Sequence, residues 1–366
     1  MRAVLCRLLL LVGLGAVDAQ AQVLRGRVVA AGDSRPIPGA LVELQDSVGR
    51  PVQRALTSPT GTFRFLAGRS GAFRVRAAAI GFSIHPVALV TMTGGDMQLP
   101  DFRMEATIAI LPDLVAAGKR RLCGPEILDD PLLGRLLEGA RASLTLMEQS
   151  LGVGARYTIE EIRTQTLTKY DPPQVTQDTT RGVLNQWPLE SVNPLVLRED
   201  GFGRVLEPLE GEGRVYYGPD LRVLFADWFL EGHCFGFDTK ARDTEAGMIR
   251  VRYEPRRTTR LVDIAGELLI DGTTLSLHEL TFEHRHLPSH IPSGAAGAGG
   301  LVGFARLESG GWLPVRWKIY GPIESVPTPM RSGRAGSAAP ARPASTVSRP
   351  VILGSVTLVG RVVGAP

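Results

Sequence analysis

The chain has 366 residues, 44% apolar and 21% charged, with a formal net charge of +4. This is ordinary globular composition, and the length suits two domains plus tails. After the N-terminal stretch no apolar run approaches the roughly 20 residues that a membrane-crossing helix needs, so none is expected. The positive charge sits in the tail: residues 331–366 carry Arg331, Arg334, Arg342, Arg349 and Arg361 and no acid, which leaves residues 22–330 slightly acidic. A nucleic-acid partner is therefore not expected.

Residues 1–21 read as a signal peptide. Arg2 and Arg7 precede the apolar core Leu8–Ala16, and Ala19-Gln-Ala21 is the small-residue cleavage site, giving Gln22 as the mature start. Cys6 lies upstream of that core, which argues against a lipid anchor on it. From Val23 to Met104 short strands alternate with tight turns. Phe63 and Phe65 alternate with Thr62 and Arg64, and Phe73, Val75 and Ala77 with Arg74 and Arg76, so each strand has one apolar face. Pro36, Pro38, Gly39, Pro59 and Gly61 punctuate the chain at the spacing of a β-sandwich, about 8–12 residues.

These residues resemble the carboxypeptidase regulatory-like domain, a transthyretin-like sandwich. Its pattern is met by Gly26 and Val28; by Pro36, Ile37, Gly39, Ala40, Val42 and Leu44; by Thr57, Gly61, Phe63 and Phe65; and by Phe73, Val75, Gly81 and Phe82. The resemblance covers residues 22–106 and implies a folding and docking accessory without catalytic residues. Related domains precede outer-membrane receptor barrels and are similar to carbohydrate-binding sandwiches. This sandwich holds no Trp and no Tyr, and its Phe63, Phe65, Phe73 and Phe82 read as core, which disfavours sugar binding through it.

Residues 107–130 read as a linker with some strand character. Asp130-Pro131 opens a helix whose Leu132, Leu133, Leu136, Leu137, Ala140, Leu144 and Met147 share one face, and Gly152 and Gly154 end it. Strands follow from Tyr157, residues 174–200 are a mixed loop or two short strands, and a second helix is expected from Asp220 to about Glu231. Strands then recur at 248–254, 262–270, 275–287, 301–307 and 313–320. Residues 288–300 read as a flexible hairpin loop. The second unit, 131–322, is thus an α+β antiparallel sheet with two helices, and the chain as a whole is mainly β. Gly266, Leu268, Ile270 and Asp271, with Leu313 and Pro314, resemble the strands of a lipoprotein-carrier-type half barrel, which implies a concave face able to hold an acyl chain or another apolar ligand. Residues 323–366, rich in Pro, Ala, Ser and Arg, are expected to be a disordered tail, with Val351–Val363 as a loosely attached strand or sticky end.

Removing residues 1–21 leaves Cys123 and Cys234, the number that can pair in an exported protein, and a disulfide between them is expected; two buried free thiols are the alternative. His284 and His286 would share one face of an extended strand and are the only candidate metal ligands; hydrogen-bonded strand-end histidines are the plainer reading. No H-E-x-x-H and no G-x-S-x-G occurs, and His233 beside Cys234 would point to the opposite face of a strand. No catalytic residue, cofactor or metal is assigned. The expected protein is a non-enzymatic binding or assembly module of the periplasm or outer membrane. Its partner would be an unidentified protein or envelope component, and the alternatives are a carrier of an apolar ligand and a carbohydrate binder.

Overall fold

The computed structural model describes residues 22–67, 70–83, 85, 87–106, 119–124, 126–153, 157–166, 172–182, 192–206, 213–238, 247–291, 297–307, 312–325 and 351–363. The expected signal peptide, 1–21, lies outside them. The first unit consists of β1 (Gln22–Ala30), β2 (Leu41–Gln45), β3 (Pro51–Leu56), β4 (Thr62–Ala67), β5 (Gly71–Ala78), β6 (Ala88–Met92), β7 (Met97–Gln98) and β8 (Phe102–Met104). One sheet runs β4-β1-β7 with β8 also on β1; the other runs β3-β2-β5-β6.

The alternation read in the sequence puts Leu24, Val28, Val42, Leu44, Phe63, Phe65, Phe73 and Val75 into one core between these sheets. Gly26 stands directly opposite Phe63, whose ring lies where any larger side chain would be. The hydroxyl of Thr57 donates to the Ile37 carbonyl at 2.6 Å and accepts from the Ala40 N–H at 2.9 Å, so the turn before β2 is tied to the end of β3.

The second unit is one antiparallel sheet with helices on one face. Its strands are β9 (Lys119–Cys123), β10 (Tyr157–Thr166), β11 (Gln174–Gly182), β14 (His233–Asp238), β15 (Met248–Pro255), β16 (Asp263–Asp271), β17 (Leu277–Arg285), β18 (Gly299–Arg306), β19 (Trp312–Ser325) and β20 (Val351–Val363). They lie in the order β11-β10-β20-β19-β18-β17-β16-β15-β14-β9. A separate hairpin is made by β12 (Gly203–Val205) and β13 (Arg214–Tyr216). The helices are α1 (Glu126–Asp129), α2 (Leu133–Ser150), α3 (Pro194–Asp200), α4 (Leu221–Leu224) and α5 (Asp227–Gly232).

Asp130 caps α2 as its sequence position suggests, although the helix starts later than expected: Oδ1 accepts from the N–H groups of Leu132 and Leu133. Leu133, Leu136, Leu137, Ala140, Leu144 and Met147 are buried, and they pack into one core with Val251, Tyr253, Leu268, Leu280, Phe282 and Trp317 from the sheet. The same helix touches β2 and β3 of the sandwich. The single helix expected from Asp220 to Glu231 is two short ones, broken at Phe225–Ala226.

Three boundaries differ from expectation. The linker at 107–130 is shorter, because Lys119–Cys123 is an edge strand paired with β14 and Glu126–Asp129 is α1; residues 107–118 lie outside the described residues. The hairpin loop read over 288–300 ends earlier, because Gly299 and Gly300 are strand positions crowded by Tyr320 and Phe282. The tail expected to be disordered over 323–366 contains an interior strand. Residues up to Ser325 belong to β19, and β20 is inserted between β19 and β10, antiparallel to both.

β20 is specified by side chains. Gly360 sits between Trp317 of β19 and Glu161 of β10. The Trp317 indole lies over Gly360, and its Nε1–H donates to Glu161 at 3.2 Å. On the next residue, Arg361 gives two hydrogen bonds to one oxygen of Glu160, at 2.9 and 2.7 Å. A Gly360→Val substitution removes the space under the indole. It should lower unfolding free energy by about 2–3 kcal/mol, the usual cost of overpacking, read by urea denaturation; unchanged stability would show that β20 is not held through Trp317.

Candidate functional site

Side-chain parity divides the large sheet into two faces. Val251, Tyr253, Leu268, Phe282, His284 and Trp317 point into the core. Their neighbours Arg252, Glu254, Glu267, Glu283, Arg285 and Lys318 point the other way and line an open groove of about 760 Å3. Each carboxylate of this groove is tied to an arginine: Glu254 to Arg121 at 2.7 Å, Glu267 to Arg252 at 2.7 Å and to Arg250 at 3.2 Å, and Glu283 to Arg285 at 3.3 Å. Lys318 has no carboxylate partner among the described residues and stands 5.7 Å from the Tyr320 ring centre. The groove therefore combines paired charges with apolar surface from residues such as Phe235, Phe282 and Leu301, and each of its acids has an arginine partner.

The floor of one end is the disulfide. Cys123 and Cys234 face each other directly on β9 and β14 and are bonded, closing a sequence separation of 111 residues. The alternative of two free thiols is thereby set aside. His233, one residue before, turns to the opposite face. Its ring stacks on Phe229 at 3.7 Å, and its nitrogens lie 2.8 Å from the Phe229 carbonyl and 3.1 Å from an Asp263 carboxylate oxygen. No thiol–imidazole pair exists here.

The structure does not bring His284 and His286 together as ligands. β17 ends at Arg285, and His286 takes a left-handed backbone with φ +56°, so the common parity stops at the strand end. His284 is buried; its Nε2–H donates to the Tyr217 carbonyl at 3.0 Å, and Nδ1 has no hydrogen-bond partner. Burial lowers its pKa from 6.5 to about 4, against the opposing pull of nearby backbone hydrogen bonds. His278 meets the Trp312 ring edge-on at 5.0 Å. Among the described residues no three His, Cys, Asp or Glu side chains are grouped to hold a metal ion.

One polar cluster was not legible in the sequence. Glu324, near the end of β19, is fully enclosed; it accepts hydrogen bonds from the Tyr216 hydroxyl and from His290 Nε2 at 2.9 Å, and the Arg214 guanidinium lies 3.8 Å away. Desolvation, then the hydrogen bond to Glu324, pushes the Tyr216 phenol far above its ordinary pKa, so it serves as a donor and not as a base. The cluster clamps the β12–β13 hairpin and the 288–291 turn to β19. The partners of Glu324 lie 34 to 110 positions before it in the chain, and no local spacing joins them to it.

Fold and sites together define a two-unit β protein with a sandwich, a helix-backed antiparallel sheet and a structural disulfide. Residues 23–105 match the family "carboxypeptidase regulatory-like domain", and the N-terminal unit is that domain. No curated protein matches the sequence. Among solved structures, a DUF3823 family protein from Bacteroides uniformis is similar at 10% identity over 66% of this chain and 92% of its own, with a TM-score of 0.21. One from Parabacteroides merdae gives 12%, 65%, 98% and 0.21. The Bacillus anthracis TIE protein gives 11% over 44% of this chain, which spans only 27% of that one, with a TM-score of 0.22. Likenesses at this level carry no functional argument.

Two outcomes test the site chemistry. Cys123→Ser with Cys234→Ser should cost about 2–5 kcal/mol of stability, measured as a shift in chemical denaturation; an unchanged midpoint would mean that the bond constrains nothing the strand ladder does not. For His284 the fold accepts the neutral ring. Stability should be full above about pH 6.5 and fall by about 3 kcal/mol as pH drops toward 4, where the unfolded chain binds the extra proton. His284→Gln should flatten that part of a stability–pH profile, and an identical slope in both proteins would refute the assignment.

Proposed function

We propose that this protein is an exported, non-catalytic binding or assembly module of the periplasm or outer membrane. The observation that carries the reading is the closed inner face of the large sheet. The apolar face of α2 packs there into one continuous core, while the surface left open is a groove whose acids are all neutralised by arginines. Such a surface suits a partner in the envelope that offers apolar contact together with complementary charge, Lys318 having no carboxylate partner among the described residues. The regulatory-like domain at residues 23–105 supports the same class, because its match lies in a domain type described as regulatory. The disulfide favours an oxidising compartment, and no described helix is long and apolar enough to cross a membrane.

The carrier alternative needs an apolar cavity against the sheet. The side chains of Leu133, Leu136, Leu137 and Met147 occupy that position, which favours the module reading. Fractionation of cells producing the full chain, with N-terminal sequencing and thiol labelling, tests the proposal. The expected product starts at Gln22, lies in the envelope fraction and has no labelled cysteine. A cytoplasmic product retaining residues 1–21 with two free thiols would overturn it. Native mass spectrometry of the same product should show no apolar adduct, and a stoichiometric lipid would restore the carrier.

A further inference from the structure

The two units meet at a second opening, a cleft of about 590 Å3. One wall is the sandwich, with Pro36, Pro38 and Phe82. The other is the rim of the large sheet, with His278, Arg306 and Trp312, and the β16–β17 turn closes one end. Domain junctions of this volume are a common place for small ligands.

Three features define what the cleft would take. First, it has an aromatic wall. Trp312 is half-buried and meets the His278 ring edge-on at 5.0 Å. An indole braced in this way offers a flat apolar surface beside solvent, suited to a ring-shaped ligand with one apolar face.

Second, it has an uncompensated cation. Arg306 stands directly opposite Trp312 on β18 and β19, so both side chains leave the same face of the sheet. Its neighbours in the sheet contrast with it: Arg252, Arg316 and Arg361 each have a carboxylate partner. Arg306 has none among the described residues. The surrounding protein also strips part of its hydration, which pulls its pKa down. A planar guanidinium in a cleft, with no counter-ion among the described residues, fits a two-oxygen anion, a carboxylate or a sulfate ester.

Third, it has a hydroxyl-reading lip. Asp271 Oδ1 accepts from the N–H groups of Thr273 and Thr274 at 2.7 and 2.8 Å, which fixes the carboxylate and leaves Oδ2 without a hydrogen bond among the described residues. The hydroxyls of Thr274 and Ser276 lie 2.7 Å apart on the same turn. An acceptor and hydroxyls next to an aromatic wall suit a ligand rich in hydroxyl groups.

We infer that this cleft binds an acidic saccharide, with the sugar ring against Trp312, its carboxylate or sulfate on Arg306 and its hydroxyls on Asp271 and the adjoining turn. The inference is independent of the partner proposed for the outer groove. It also differs from sugar binding through the sandwich alone, because the aromatic and charged groups come from the second unit.

The test is titration calorimetry and saturation-transfer NMR of the intact chain with three probes: a uronate trisaccharide, its methyl-esterified counterpart and a sulfated disaccharide. Binding of at least one charged probe and weak or absent binding of the ester is the expected result, and the charged probe that binds decides between carboxylate and sulfate. Arg306→Gln should weaken that probe about tenfold, the loss expected for one charge-assisted contact, while leaving the melting temperature unchanged. Trp312→Leu should weaken charged and neutral probes alike. If it fails to fold, Arg306→Gln alone decides, because its side chain is at the surface. No binding by any probe, equal binding of the ester, or binding untouched by Arg306→Gln would each overturn the inference.

Discussion

The apolar face of α2 governs the architecture. A ten-stranded antiparallel sheet with one oily face cannot stay in water with that face open. The helix closes it with leucines at the spacing of its own turns, and it does more than cover. Gly139 lets the β16–β17 turn press against the helix at Leu275, a residue held at φ +58°, and Ser143 accepts the Leu277 N–H at 3.3 Å. That turn then reaches the sandwich, where Thr274 lies against Gly81. This helix thus covers the β16–β19 part of the inner face, anchors a turn and touches the sandwich, while the short helices cover the rest of the core. The surfaces available for binding are what remains: the outer face of the sheet and the junction.

The sandwich was legible because its information is local. Period-two alternation, a glycine under Phe63 and a threonine tying β3 to the turn before β2 all lie within a few strands of one another. Cys123 and Cys234 were legible for a different reason, since the two cysteines left beyond the expected signal peptide allow one pairing. The helix α2 was legible in its buried stripe, but its first turn was placed too early because Asp130 caps from further out than a standard N-cap. A continuous pattern hid the break between α4 and α5, where Phe225 and Ala226 turn the chain without a glycine or a proline. The helix α3, started by Pro194 and capped by Asn193, lay inside a stretch whose polar residues read as loop.

The segment Val351–Val363 was read as a loosely attached strand or a sticky end, and its interior place in the sheet did not show itself for a physical reason. Composition identifies strands that bury a face strongly, and β20 does not. It is flanked on both sides by strands, its side chains are largely half-exposed, and its most buried described position is a glycine. What fixes it is backbone pairing along two neighbours and an indole reaching across Gly360, and neither can be seen from one segment alone. The histidines illustrate the converse error. A spacing of two suggested a shared face for His284 and His286, but the strand ends between them, and burial of His284 makes its neutral form the stable one. Apparent spacing is useful only while the element that gives it meaning continues.

The position of β20 has a consequence for how the second unit forms. Among the described residues the β10–β11 hairpin pairs its backbone with the rest of the sheet only through β20. Its place in the ladder therefore depends on residues 351–363, and the contact between Glu160 and Arg361 spans 201 positions. Contacts of such separation are slow to form, because loop closure must be paid in entropy before the pairing returns it. At the other edge, the disulfide joins β9 to β14 across 111 positions, holding that end of the sheet in register while the C-terminal strand arrives. The two long-range ties bracket the sheet, one covalent at its β9 side and one hydrogen-bonded between β19 and β10.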